Sequence, residues 1–454
     1  MSTVKIKSKY QMDMCHGPLG KQIIIFTIPL VLTGLLQTFF HAADLMVVGR
    51  FASHKALAAV GATTSLTWLM INIFIGLSVG TNVMVARYIG ERKRKEVSRS
   101  VHTSVYISLA GGIFLALFGI FSARFFLKLL GTPADILEQA TLYMQIYFAG
   151  MPVIMFYNFG SAILRAAGDT KRPFYFLVIG GIINVLLNLF FVIVCKMDVA
   201  GVAIATVVSQ AVSGWLILKV MYKMQDGCRF RWKNLLVTRK NLKEIMWIGI
   251  PTGIQGACFS FSNIIIQSSI NMFGTDAIAG NTAAWQWEGL FFVAFMSLGT
   301  AVVSFVSQNL GGKQYKRITR SVTYCSYMAV GFAVFLTIFL LIFKEWSLSI
   351  FNNNPEVVEW GVSRFNIVLP FIWAGGLMEV YIGGIRGMGY SITPSIIMIL
   401  GACVFRVVWV FTVFKWSQTL PTLLWSYPIS WGMIAAVTGI YFLMIVKKQH
   451  IADK

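Results

Sequence analysis

Charge is scarce in this chain. Asp, Glu, Lys and Arg make up 12% of its 454 residues, against about 25% in an ordinary soluble domain. Acids are the rarer sign, 17 against 38 Lys and Arg. The six cysteines (Cys15, Cys195, Cys228, Cys258, Cys325, Cys403) are scattered, with no CxxC or other metal spacing. That excludes a cysteine-built metal site, and they read as small apolar packing residues. No GxxxxGK[ST] occurs, so the chain carries no ATP motor, and pumping would have to draw on an ion gradient or a partner. One histidine, His41, lies deep in an apolar stretch, and no DxxD or HxxxxD run stands at a membrane boundary. Both absences argue against a membrane enzyme. No cofactor is expected. No cleavable signal is expected either, because the basic start (Lys5, Lys7, Lys9) leads into a full apolar run.

Apolar residues fill the space. They are 57% of the chain, and the mean hydropathy is +0.72. Runs of roughly 20 residues, enough to cross a bilayer core of about 30 Å as helix, recur near 22–49, 57–86, 98–123, 138–164, 174–195, 200–222, 243–270, 279–309, 319–343, 358–384, 393–415 and 421–446. Alternating ten-residue strands are missing, so twelve helices rather than a barrel are predicted. The fold class is an all-α polytopic membrane protein. With the N-terminus in the cytoplasm, 29 of the 38 Lys and Arg fall on the cytoplasmic side. Eight fall on the opposite face and its flanks (Arg50, Lys55, Arg124, Lys128, Lys196, Lys344, Arg364, Lys415), and Arg406 lies inside a span. That asymmetry is the positive-inside pattern with both termini cytoplasmic. Nucleic-acid binding would need no such alternation, so the net charge of +21 is not read that way.

The chain also repeats itself. Arg165, Gly168 and Pro173 recur as Arg386, Gly389 and Pro394 at an offset of 221. VARYIG (85–90) recurs as VSQNLG (306–311) at the same offset, and Pro29 recurs as Pro251 at 222. Each copy holds six spans, an even number, so the two repeats run parallel. The boundaries expected are a cytoplasmic tail at 1–21, an N-lobe at 22–222, a basic linker and candidate interfacial helix at 223–242, a C-lobe at 243–446 and a tail at 447–454.

Ionisable groups inside spans are costly, which makes them functional candidates. Asp44 is in span 1, with His41 three residues earlier on the same face. It can carry a proton or hold Na⁺. Asn184 and Asn188 share a face of span 5, and Thr206 is in span 6. Their oxygens suit Na⁺ or a protonating carboxylate, or serve interhelical packing. Glu288, flanked by Trp285 and Trp287, and Glu379 lie in spans 8 and 10. Glu288 either attracts an organic cation or pairs with Arg406 in span 11.

In this order and with this duplication, IPLVLTGLLQTFFHAADLMVVG, ALAAVG, SVGTNVMVARYIGERKRKE, ILRAAGDTKRP, NVLLN and GVAIATVVSQ resemble the multidrug and toxic compound extrusion (MATE) family, bacterial type. The resemblance covers about Gly20 to Val446. It implies two six-helix lobes forming a V, working as a monomer in the bacterial inner membrane to export amphiphilic organic cations in exchange for Na⁺ or H⁺. It also implies that Asp44, Asn184, Asn188 and Thr206 form the coupling-ion site. Two positions depart from relatives. Asn188 stands where several carry Asp, and Phe259 stands where one branch carries a span-7 acid. A lipid-linked oligosaccharide flippase of the same shape is the rival reading, but it would need several deep cations. At offset 221, Asp44 falls on Ile265, Asn184 on Phe405, Asn188 on Trp409 and Thr206 on Tyr427. In reverse, Glu288 falls on Thr67 and Glu379 on Asn158. The scaffold is duplicated and the chemistry is not.

Overall fold

The structure is a computed structural model that describes residues 10–452 except Asp226; Lys5, Lys7 and Lys9 lie outside the described residues. No strand occurs among those described. The first copy contains α1 (Leu19–Phe51), α2 (His54–Gly90), α3 (Arg94–Leu129), α4 (Ala134–Ala149), α5 (Met151–Ala166), α6 (Lys171–Leu189) and α7 (Asp198–Lys223). The second contains α8 (Arg239–Ile270), α9 (Thr275–Gly311), α10 (Tyr315–Ile342), the short α11 (Lys344–Ser349), α12 (Pro355–Val368), α13 (Ile372–Gly387), α14 (Ile392–Met398), α15 (Phe405–Phe411), α16 (Val413–Trp416), α17 (Leu420–Leu424) and α18 (Ser426–Ala452). Among the described residues, nine helical segments are long and apolar enough to cross a membrane, and ten with the pair α4 and α5, bent by 47°. The other two expected spans, α2 and α8, are 37 and 32 residues long, ample for a crossing. In lipid each backbone N–H must find its partner within the segment, which is why apolar runs this long become helix.

The second copy is more interrupted than the first. Its span 11 is α14, a π-helical turn at Ile399–Val404, then α15. In the first copy the π turn, Phe190–Val194, comes after α6 has ended. The bend between α4 and α5 has a local cause: Pro152 stands at the start of α5 and supplies no donor to the preceding turn.

The repeated motifs turn out to be helix stops. At the end of α5, Gly168 donates to Arg165 O at 2.9 Å and Asp169 to Leu164 O at 2.9 Å. At the end of α13, Gly389 donates to Arg386 O at 2.8 Å and Tyr390 to Ile385 O at 3.2 Å. Both are the paired-bond termination in which the residue after the helix turns left-handed. The φ angles are +84° and +91°, conformations open to glycine without a Cβ penalty. Arg92 and Lys313, also 221 apart, close α2 and α9 in the same way at φ 57° and 56°.

The described residues fall into two compact units. One spans Ile28–Ile250 with the described residues before Met14; the other joins Met14–Thr27 to the residues from Pro251 onward. The duplicated prolines thus mark the points where α1 and α8 pass from one unit to the other. The expected boundaries at 21/22 and 242/243 shift accordingly. Residues 14–27 belong with the second unit because Met14 is buried there, donating to Gln308 Oε1 at 3.3 Å while its carbonyl accepts from Asn309 and Arg317. The linker belongs with the first. Phe230 is fully buried, Arg231 N–H donates to His102 Nε2 at 3.2 Å, and Asn241 donates to Ser100 Oγ at 2.8 Å. Among its described residues the one helical turn before α8 is Trp232–Asn234, so those residues form a packed strap on α3 rather than an interfacial helix.

Candidate functional site

Asp44 meets the residues expected around it. The close approach of α1 to α6 depends on Gly181, where a Cβ would lie 1.6 Å from the ring of Phe40. Phe40 is one turn before Asp44, and Gly181 is two turns before Asn188. That contact sets Asn188 Nδ2 2.5 Å from Asp44 Oδ1, and the same amide donates to Asn184 Oδ1 at 3.2 Å. Asn184 Nδ2 donates to Thr206 Oγ1 at 3.4 Å, and Thr206 donates to Val202 O at 3.0 Å. Asn188 thus gives its amide to the carboxylate, and through Asn184 and Thr206 the network runs on, away from the acid, from α6 to α7. Asn188 Oδ1 is buried and meets no donor among the described residues.

The acid opens on a cavity of about 240 Å³ inside the first unit, room for several waters at about 30 Å³ each. His41, Asp44, Asn184 and Thr206 line it, together with Thr67, Tyr143, Tyr147, Asn158, Ser209 and Gln210. His41 is exposed on this wall, with no bond to Asp44. The tyrosines and Gln210 were not expected. They lie on spans 4 and 6 without a neighbouring charge to draw attention to them.

The second unit holds a different arrangement, and here two expectations are corrected. Glu288 does not pair with Arg406. It is fully buried and takes a two-pronged bond from Arg364, Nε to Oε1 at 2.6 Å and Nη2 to Oε2 at 2.8 Å. Arg364 Nη1 donates to Asn281 Oδ1 at 2.5 Å. Arg364 accordingly does not belong to the outer flank; it is a wholly buried residue of α12. Glu288 is thus neutralised and does not stand open to a cation. Its aromatic neighbours are also engaged: Trp285 lies against Arg364 at 5.3 Å, and Trp287 Nε1 donates to Ser347 O at 3.0 Å. Glu379, half-buried on α13, has the charge of Arg386 two turns along, and Arg386 Nη2 reaches Gln255 Oε1 at 2.5 Å.

Arg406 stands alone. It is fully buried, and its Nε donates to Ser430 Oγ at 3.0 Å. Its guanidinium lies 4.4 Å from the ring centre of Tyr427, 5.7 Å from Phe259 and 5.9 Å from Trp431. Nη1 and Nη2 meet no acceptor among the described residues.

At the repeat offset, this cluster is the counterpart of the first unit's cavity wall. Glu288 corresponds to Thr67, Arg364 to Tyr143, Tyr427 to Thr206, Ser430 to Ser209 and Trp431 to Gln210. Asn184 corresponds to Phe405, but the π turn at Ile399–Val404 adds a residue to the helix just before it. Arg406 is therefore the residue buried there, and Phe405 is only half-buried.

The family described as MatE matches residues 29–190 and 251–412, two stretches that begin at the duplicated prolines. The probable multidrug resistance protein YpnP of Bacillus subtilis is 25% identical over 87% of this chain and 88% of its own. The probable multidrug resistance protein NorM of Thermotoga maritima is 25% identical over 88% of this chain and 86% of its own. The crystal structure of MATE in the bent conformation shares the fold, with a TM-score of 0.90, 22% identity and coverage of 97% of this chain and 98% of that one. Two parallel six-span copies, each matched from its first proline onward, make this chain a member of the MATE family of multi-pass membrane transporters.

Proposed function

We propose that the protein is a secondary active antiporter. It exports amphiphilic organic cations, the multidrug efflux its relatives are named for, in exchange for H⁺ or Na⁺ at Asp44. It works as a monomer in the bacterial inner membrane, with both termini in the cytoplasm as the Lys and Arg distribution indicates. The observation that carries the reading is the lone carboxylate at the wall of a cavity with polar groups in its lining, held by an amide from a second helix. An ionised Asp44 suits the Asn188 N–H donor turned towards it. Asn188 Oδ1, buried and without a donor, is an oxygen available to Na⁺ alongside the carboxylate. Ion binding drives export only if it favours one conformation over another. Pro29, which removes a backbone bond inside α1, stands where that helix changes unit and is the natural place for it to bend.

A lipid-linked oligosaccharide flippase is less well supported. Arg364 adds a second deep arginine, but Glu288 neutralises it, leaving Arg406 as the one unpaired cation of the cluster.

The test is efflux of a fluorescent organic cation from proteoliposomes under an imposed Na⁺ or pH gradient, for wild type and Asp44→Asn. Gradient-driven efflux that disappears in the variant is expected, and the gradient that drives it names the ion. Wild-type efflux from the variant would remove Asp44 from the mechanism. No dye movement under either gradient would favour the flippase.

A further inference from the structure

The counterpart of the cation site is built with the opposite polarity, and we infer that the second unit binds an anion at Arg406. The class is a monoanion: the carboxylate of an amphiphilic aromatic compound, or a halide. The proposal uses only residues of the second unit and does not depend on Asp44 or on antiport.

A guanidinium stays charged at any physiological pH, so Arg406 cannot escape burial by losing a proton. Every acid in its surroundings is committed elsewhere. Glu288 holds Arg364 through both oxygens, and Glu379 has Arg386 as its nearby charge. The faces of the guanidinium are stacked on aromatic rings, 4.4 Å away for Tyr427, an attraction that offsets part of the cost of burial. Rings satisfy faces, not edges. The edge that carries Nη1 and Nη2 is left without an acceptor, while Nε is fixed by Ser430. Two parallel N–H groups are the fork that carboxylates accept in pairs. Arg364 lies 5.1 Å from the same Tyr427 ring, so the cluster of two arginines and one glutamate carries a net positive charge.

The π turn ahead of Arg406 is the second independent sign. Such turns add a residue and recur at functional sites. Here the turn puts an arginine at the inward position whose counterpart in the first unit is Asn184 of the ion site.

The experiment uses the purified full-length protein in nanodiscs, with benzoate and chloride as separate probes and tryptophan fluorescence and thermal stability as readouts. Benzoate is expected to change the emission saturably and raise the melting temperature. Arg406→Lys keeps a cation without the fork and should weaken binding at least tenfold; Arg406→Gln should abolish it. Asp44→Asn should bind as wild type, which separates this site from the antiport reading. A response to chloride but not benzoate assigns the fork to a halide; a response to benzoate that chloride displaces assigns it to the carboxylate. If Arg406→Gln does not fold, the Lys variant decides. No saturable response to either probe, or wild-type affinity in the Lys variant, overturns the proposal.

Discussion

Asp44 and Glu288 are both carboxylates inside long helices, one in each unit, and their surroundings differ in every respect that matters. Asp44 accepts from one amide, faces a cavity, and has no cation beside it. Glu288 is fully buried and gripped at both oxygens by Arg364. The first has open space beside it and a single amide to hold it. The second is locked, because losing either partner strands a charge in a medium that solvates it poorly. The two units share the same helix stops, but their acids stand at positions that do not correspond, one facing a cavity and the other locked in an ion pair.

Four substitutions probe that contrast. Glu288→Ala leaves Arg364 buried and unpaired. It should cost about 3–5 kcal/mol, read as a large drop in melting temperature and in yield of folded protein. An undisturbed melt would mean that Glu288 is not structural and would break the comparison. Gly168→Ala comes next. A left-handed Cβ costs about 1–2 kcal/mol, and here it would also lie 2.3 Å from Met12 O. A melting temperature clearly below that of wild type is the expected readout, and an unchanged melt would show that this stop tolerates a side chain. Asp44→Asn should shift stability by under about 1 kcal/mol, the scale of one hydrogen bond, while removing gradient-driven efflux. A strongly destabilised Asp44→Asn would place this acid with Glu288. Smallest is Thr206→Val, which removes the hydroxyl that accepts from Asn184 Nδ2. It should leave the melt within about 1 kcal/mol of wild type and raise the coupling-ion concentration for half-maximal efflux several-fold.

Much of this was legible in the chain. Twelve apolar runs became twelve helical passages because lipid leaves a backbone no other partner. The offset of 221 reappeared as matching helix terminations at Gly168 and Gly389, since a left-handed stop is written in one residue type. Asn184 and Asn188 were placed on one face by their spacing of four, and they do share one network. Arg364 was misplaced because it lies near the start of its expected span, where hydropathy cannot tell a boundary residue from a buried one. Its partner is 76 positions away in sequence. The pairing of Glu288 with Arg364 rather than Arg406 is a choice between two arginines of the same kind, which only the helix packing makes. The linker's burial depended on contacts with α3, invisible to its basic composition.

The sequence by itself determined the solvent, the number of helical passages, the repeat and the acid at position 44, because hydropathy, glycine stops and helical spacing are local properties. Tertiary structure alone decided which charges are paired, which face a cavity and which stand unpartnered. Those are differences in distance and solvation between residues far apart in the chain. The arginine turned inward by a π turn depends on both: its place follows from the repeat, and its burial from the way the helix is wound.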